Sequence, residues 1–550
     1  MPRIDLLSVA PKAIAHLRAQ LRRKRLGLIF GSGASKDLHF PDWKKLIGLI
    51  AAHPRVQGDA LVARFVGKGP GGSTIRGSLA SITQILFNHF RSRTIADKAL
   101  QTPLTFLEEQ EIRTAWLRII HENLYAHIDL TNRSKSIKEH GYLHSFLDIV
   151  RKSPLTVNYN FDDTLEKMLL DARSGDKRNS TRGYEVTDKP NVQFQKNAGV
   201  IYHPNGFLPA IFEDGASADV VFSDDSFQDQ LISAATGKYI HLSNHLFRNT
   251  CLLIGLSLED VTLQSLLRQN AVTNPGNVHY LIDFRKEGEE TTAEEYQIIF
   301  NSNFSSYNLY TLFLDNDGIR DLAALISMSK KSFALNYADA GKKFVYYLIG
   351  SIGAGKSTAA SNFRNLITYD EWIDERRPEA AVPESTLTSE AVEDVNSWIA
   401  EQFRKKNFAL LGQNEGIHVV DRCPLDPLTF GGAPGATQRP SKAKRLIEQI
   451  TDKSCRPIEK GHVIHLDCDL ADVRIRCSLK HKYWDDKEYK DLLHAIDEVY
   501  GGLERTVICT RGRNANSVAR EIARVIFLDA YRPIDIGKEL TKIAEGANAE

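Results

Sequence analysis

The stretch that constrains this chain most is Gly350-Ser351-Ile352-Gly353-Ala354-Gly355-Lys356-Ser357-Thr358, which matches G-x-x-x-x-G-K-[ST]. An apolar run, FVYYLI from Phe344, precedes it, and a helix-forming segment, STAASNFRNL from Ser357, follows. That order is what a phosphate cradle needs. The glycines let successive backbone N–H groups curl around phosphate oxygens, and the helix start adds the positive end of its dipole. Lys356 is expected on the outer phosphates. Ser357 is expected on Mg²⁺ that arrives with ATP or another nucleoside triphosphate. The alternative is a loop that keeps the fold and binds nothing.

The residues after this loop continue the alternation. NLITYD, IHVVD, HVIHLD and RTVIC read as strands separated by helical stretches, which predicts a parallel α/β sheet. Asp421-Arg422 closes the strand IHVVD, and an acid at a strand's C-terminal end faces the crevice of an open sheet. Asp421 is expected to hold Mg²⁺ through water or to accept a proton from an acceptor hydroxyl; otherwise it caps the next turn. Asp370 and Glu371, which end NLITY, are alternative acids. The run GGAPGATQRPSK, Gly431 to Lys442, reads as a loop by composition.

The front half repeats the pattern. LGLIFGS, PLTVN, GVIYH, DVVFS, CLLIGL and VHYLIDF are short apolar runs ending in polar residues or glycine, and they read as strands. Thr74 to Leu130 carries helical spacing and reads as a helical insert. The fold class expected is therefore α/β, with two parallel-sheet nucleotide-binding domains: residues 1–330, a linker at 331–343, and residues 344–550.

Four front-half segments carry chemistry. Gly31-Ser32-Gly33-Ala34-Ser35 follows the strand LGLIF and suits close approach to a pyrophosphate. Asn158-Tyr159-Asn160-Phe161-Asp162-Asp163 ends the second strand, with Glu166 placed to form a capping box with Asp163. Tyr202-His203-Pro204-Asn205-Gly206 ends the third, and Gly255-Leu256-Ser257-Leu258-Glu259-Asp260 ends a fourth. Asn160 supplies an amide with both donor and acceptor. His203 supplies an imidazole that titrates near neutral pH. Asp162 is expected to hold a ribose hydroxyl or stiffen the loop. Asn160 as an Asx turn residue and His203 as a hydrogen-bonded strand-end histidine are the plainer alternatives.

Composition excludes several other classes. The net charge of +1 supplies no global field toward nucleic acid or membrane. No apolar stretch approaches the roughly 18 residues of a spanning helix. The N-terminal MPRIDLLSVAPKAIAHLRAQLRRKR reads as a surface helix rather than a signal peptide. Six cysteines, Cys251, Cys423, Cys455, Cys468, Cys477 and Cys509, never form C-x-x-C, which argues against structural zinc and fits a reducing cytoplasmic setting.

Taken as a set and in this order, the four front-half segments resemble the sirtuin-like family, and its bacterial antiphage defence branch in particular. The resemblance implies an NAD-cleaving domain in which Asn160, His203 and Asp162 are catalytic, and Gly31, Ser32, Gly33, Ala34, Ser35, Gly255, Ser257 and Asp260 bind NAD. It departs in one place: the family's catalytic histidine directly precedes the glycine, where this chain has Asn205. The zinc module of protein-deacetylating sirtuins is missing, which argues against deacetylation. The back half, with HVIHLDCDLADVRIRC and the closing SVAREIARVIFLD, resembles thymidylate and deoxynucleoside kinases. That resemblance implies nucleotide binding by Gly350, Gly353, Gly355, Lys356, Ser357, Thr358, Asp421 and Arg422, Mg²⁺ held through Ser357 and Asp421, and Arg474 and Arg476 as lid arginines. Together these imply an NAD hydrolase gated by a nucleotide sensor. Its expected partners are nucleotides, a phage-derived trigger or partner protein, and further copies of the chain. The alternative is a nucleoside or nucleotide kinase with a regulatory dinucleotide site.

Overall fold

The computed structural model describes residues 5–57, 66–69, 72–75, 78–130, 141–174, 183–189, 198–237, 239–258, 260–285, 291–337, 342–381, 386–430, 435–451, 456–478 and 486–546. Among these described residues, fourteen strands follow in chain order. They are β1 Leu26–Phe30, β2 Val66–Gly69, β3 Gly72–Ile75, β4 Thr156–Asn158, β5 Gly183–Thr187, β6 Ala198–Tyr202, β7 Thr250–Ile254, β8 His279–Phe284 and β9 Leu309–Leu314. In the back half come β10 Lys343–Ile349, β11 Ile367–Tyr369, β12 Gly416–Asp421, β13 His462–Asp467 and β14 Arg505–Cys509. The chain separates into two compact units. One gathers Gln20–Asn270 and His279–Lys330; the other gathers Asp5–Ala19, Ala271–Val278 and the chain from Lys331 onward.

The first unit is built on a seven-stranded sheet ordered β5-β6-β4-β1-β7-β8-β9. Every pairing in it is parallel. Parallel strands are covered on both faces, so their sequences are apolar throughout rather than alternating. All five residues of β1 and of β7 are buried. Ile29, Val157, Tyr202, Leu253 and Leu281 pack there with Leu242, Leu246, Leu263 and Leu267 of helices Ile240–Arg248 and Val261–Thr273. The insert forms its own core from helices Trp43–Ala52, Leu79–Asp97 and Phe106–Tyr125, with Ile50, Leu86, Phe90, Trp116 and Ile120 at its centre. Thr105 and Glu108 close a capping box at the start of the last.

The second unit has a five-stranded parallel sheet ordered β11-β12-β10-β13-β14. Its core joins Val345, Tyr347 and Ile349 of β10 to Val395, Ile399 and Phe403 of helix Ser389–Leu411. Two mixed α/β units, each on a parallel sheet, match the fold class read from the sequence.

Several local expectations are corrected. The run DVVFS is not a strand: Asp219–Ser223 is irregular, and Val220 and Phe222 are buried in the insert's helical core. Alternating burial there comes from docking onto helices. The N-terminal helix Pro11–Arg22 is not a surface helix, because Ala13 to Leu21 are buried without a break. Its Arg18 pairs with Glu415 at 3.2 Å and stacks 3.7 Å over the Phe333 ring. Phe333 belongs to a short helix, Lys330–Asn336, in the stretch expected to be a linker. Of the expected loop at 431–442, residues 431–434 lie outside the described residues; the rest begins helix Gly435–Ile450, which carries Pro440 and buries Ala443, Leu446 and Ile450. The sequence reading does not anticipate strands β2, β3, β5 and β9. Cys455 also lies outside the described residues, and the other five cysteines are free thiols.

Candidate functional site

The first unit's sheet reverses its direction of growth beside β1. The chain lays strands outward to β5 and β6, then returns to place β7 on the other side of β1. In open parallel sheets, ligands bind at the C-terminal ends of the strands beside such a point. Gly31–Ser35 leaves β1 there, and Gly255–Asp260 leaves β7. The two loops interlock through their backbones: Gly31 N–H donates to the Ile254 carbonyl and Gly33 N–H to the Gly255 carbonyl, both at 2.9 Å. A Cβ on Gly31 would lie 2.5 Å from the Gly255 oxygen. Gly255 has φ +68°, and a Cβ there would lie 2.4 Å from the Ala34 nitrogen. Ala34 N–H donates to the Gly31 carbonyl at 2.9 Å. The amides of Gly31, Gly33 and Ala34 are thus spent inside the protein, and the glycines serve first to let two chains cross. Ser32 and Ser257 are exposed, whereas Ser35 is buried. Asp260 caps the next helix, accepting from Leu263 N–H at 2.7 Å.

Three side chains predicted from sequence meet at this crossing. Asn160 Nδ2 donates to Ser35 Oγ at 2.9 Å, and Ser35 Oγ donates to Asp162 Oδ2 at 3.2 Å. Asp162 Oδ1 accepts from Thr164 N–H at 3.0 Å. Burial raises the Asp162 carboxyl above its ordinary value, against the lowering effect of Thr164. The chain of donors leaves the Asn160 carbonyl oxygen, Oδ1, as the acceptor it can offer.

His203 is also brought here, but its ring is enclosed. It has no exposed surface; Nδ1 lies 2.8 Å from the Asn160 backbone carbonyl and Nε2 2.9 Å from Glu166 Oε1. Both neighbours are acceptors, an arrangement that favours the protonated ring. Burial pulls its pKa down, yet the Glu166 carboxylate and the Asn160 carbonyl outweigh it, and the net shift is upward. The structure thus places His203 with both ring nitrogens engaged inside the protein rather than presented as a free base. Glu166, read from sequence as half of a capping box, spends its carboxylate on His203 instead. Asp163 ties down the loop by accepting from Tyr125 Oη at 3.2 Å and Ala210 N–H at 3.1 Å.

The second unit's loop follows β10. Gly350, Gly353 and Gly355 all have positive φ, and Gly355 is the residue before helix Lys356–Ser361. Lys356 folds back on its own loop, donating to the carbonyls of Gly350 at 2.7 Å and Ser351 at 2.9 Å. Burial, and then the nearby Arg422 cation, lower its pKa to about 8. Ser357 and Thr358 are exposed. Asp421 is fully buried at the end of β12, and neither carboxylate oxygen has a hydrogen-bond partner among the described residues. The cations of Lys356, Lys406 and Arg422 lie close enough to interact with it electrostatically. Arg422 grips Glu371 at 2.7 Å and reaches Asp426 at 3.4 Å. Burial would raise the Glu371 carboxyl, but Arg422 carries it down to about 2. Asp426 also accepts from Tyr500 Oη at 2.6 Å. Arg476 reaches the loop, donating to Thr510 and lying 3.5 Å from the Gly353 and Ala354 carbonyls. Arg474 does not; it pairs with Asp486 at the surface. Asp370 pairs with Arg364 at 2.9 Å, exposed.

Sequence reasoning missed Lys406, which donates to the backbone carbonyls of Glu371 at 2.8 Å and Asp421 at 2.7 Å. The signal was present: Lys406 stands in register with Ile399, Gln402, Phe403 and Leu410 on the buried face of its helix. It also missed Tyr142, whose hydroxyl donates to the Gly33 carbonyl at 3.0 Å, and Gln230, discussed below.

Residues 154–311 match the family model described as the SIR2-like domain. That span holds Asn160, Asp162, His203 and the β7 loop, and stops short of Gly31–Ser35. No curated protein matches the chain. Among solved structures, a deoxyadenosine kinase from M. mycoides, determined with the products dCMP and a flexible dCDP bound, is similar at 13% identity and a TM-score of 0.23, over 32% of this chain and 96% of that one.

Proposed function

We propose that the first unit hydrolyses NAD at the nicotinamide–ribose bond, as a cell-suicide effector in antiphage defence, and that the second unit holds a nucleoside triphosphate that gates it. The observation that carries the first part is the Asn160–Ser35–Asp162 chain at the strand crossing, within and beside a span that matches the SIR2-like domain. Nicotinamide leaves as a neutral ring, so its departure needs no general acid. The ribose carbon becomes cation-like, as in glycoside cleavage. What the site must do is orient ribose and water and keep the leaving group aligned. Asn160, braced through Ser35 against a buried carboxyl, is suited to that. An enclosed His203 removes one candidate base without removing this chemistry.

Nucleotide binding by the second unit is supported by the buried Asp421 carboxyl, without a hydrogen-bond partner among the described residues, close to Lys356. Among the described residues no cluster of acids, histidines or cysteines is arranged to hold a metal ion alone. Mg²⁺ would arrive with its nucleotide, held by Ser357 and Asp421, and would supply charge neutralisation on the phosphates. The same acid favours a second reading: a nucleoside or nucleotide kinase, with the first unit binding a dinucleotide as regulator.

One comparison separates the readings. NAD and nucleotides are measured in cells expressing wild type, Asn160→Ala or Lys356→Ala, with and without phage. The hydrolase reading expects NAD loss on infection in wild type and none in Asn160→Ala. Phosphorylated nucleoside lost only in Lys356→Ala, with NAD constant throughout, would establish the kinase instead.

A further inference from the structure

Gln230 sits on helix Asp224–Ala235, 4% exposed, and its amide is hydrogen-bonded on both ends. Nε2 donates to the Pro204 carbonyl and to Asn205 Oδ1, each at 3.0 Å. Oε1 accepts from Thr262 Oγ1 at 3.1 Å. The Pro204 carbonyl can only accept, so the orientation of the Gln230 amide is determined, and with it that of Asn205. Asn205 Oδ1 is used. No hydrogen bond of its Nδ2 is found among the described residues, and Asn205 as a whole is 8% exposed.

The place of this chain of bonds matters. Pro204 and Asn205 follow β6, and Thr262 begins the helix after β7. In the sheet, β4 and β1 stand between β6 and β7. Three strand spacings separate them, about 14 Å. The Asn205–Gln230–Thr262 chain therefore passes the C-terminal ends of β4 and β1, where Asn160 and Ser35 emerge.

We propose that Gln230 is a positioning residue that fixes Asn205 as a hydrogen-bond donor to the substrate, so that the crevice offers NAD a donor at Asn205 Nδ2 and an acceptor at Asn160 Oδ1. The group read by Asn205 is an acceptor oxygen of the nicotinamide riboside half. The inference rests on the NAD reading above and adds to it a polarity for the site. An amide locked this way takes no proton; it holds an oxygen in place. Replacing Gln230 by glutamate removes the donors and turns the Asn205 amide around, putting its oxygen where the donor stood.

The test uses purified full-length protein with NAD as substrate and ADP-ribose as competitor. Asn205→Asp keeps the acceptor for Gln230 and loses the donor; Gln230→Glu reverses the amide. Each is expected to raise KM for NAD about tenfold with kcat within about threefold, the loss of one substrate hydrogen bond. The double variant is built as Asn205→Asp/Gln230→Met, which sets no second carboxylate against Asp at 205, and it is expected to be no worse than Asn205→Asp alone, because both changes remove the same bond. Weaker inhibition by ADP-ribose in the variants assigns the oxygen to ribose; unchanged inhibition assigns it to the carboxamide. KM within twofold of wild type in Asn205→Asp, or losses that multiply in the double variant, would overturn the role of Gln230. Should Gln230→Glu fail to fold, Asn205→Asp carries the test alone. A wild type that neither binds nor cleaves NAD overturns the hydrolase reading itself, which is a separate outcome.

Discussion

An imidazole between two acceptors is a proton trap, and His203 shows what that does to stability. Its folded pKa lies above the ordinary 6.5, so the fold binds the proton more tightly than the unfolded chain does. The stabilisation is complete below pH 6.5 and is lost as pH rises through the raised value. The first unit should therefore weaken on the alkaline side, and His203→Gln should flatten that limb of a melting-temperature profile. Glu166→Gln leaves the buried imidazolium without its counter-ion and should cost about 3–5 kcal/mol, measured by denaturant unfolding. A flat alkaline limb in wild type would remove the ion pair from this account. Residue type was legible here and direction was not. The segment Asn158 to Asp163 announced a polar site because such residues rarely follow a buried strand for packing alone. That His203 turns inward depends on Glu166, 37 positions earlier in the chain, and such a partner has no local signature.

At the scale of elements, the two glycine loops are one structure. The β1 and β7 loops cross so closely that neither tolerates a side chain facing the other, and Gly255 also needs a left-handed backbone. Gly255→Ala should destabilise the first unit by about 2 kcal/mol or more, from strain and from the displaced Ala34 amide together. It should abolish NAD cleavage even in the fraction that remains folded, because Ser35 and its partner Asn160 move with the loop. Unchanged kcat in Gly255→Ala would show that the crossing does not position the site. Buried parallel strands such as β1, β7 and β10 were legible because covering on both faces demands unbroken apolar runs. Strand β5, GYEVT, was not, since an edge strand carries less apolar residue. The DVVFS segment misled for the opposite reason: its apolar residues answer to helices of the insert. Proline and glycine in the 431–442 stretch suggested a loop, yet the buried Ala443, Leu446 and Ile450 pull residues from Gly435 onward into a helix.

At the scale of the whole molecule, each unit has its own sheet, its own core and its own loop at the C-terminal edge of that sheet, so under the proposed function each ligand has its own fold to stabilise. Binding to the folded state adds RT ln(1 + [L]/Kd), about 2.7 kcal/mol at a hundredfold excess over Kd. For a unit of this size that is a rise of about 5–10 °C in its own melting transition. Mg²⁺–ATP should raise one transition in wild type and leave it in place in Lys356→Ala and Asp421→Ala. ADP-ribose should raise a transition that neither substitution affects. Gating makes a stricter demand. If ATP changes the affinity of the first unit for ADP-ribose by some factor, ADP-ribose must change the affinity for ATP by the same factor, because the coupling free energy is shared. Calorimetric titration of each ligand in the presence of the other measures both factors. Equal factors different from one establish coupling between the two sites, which gating requires. Two factors of one would leave two independent nucleotide sites joined by a chain, and the trigger for NAD cleavage would then have to act on the first unit directly.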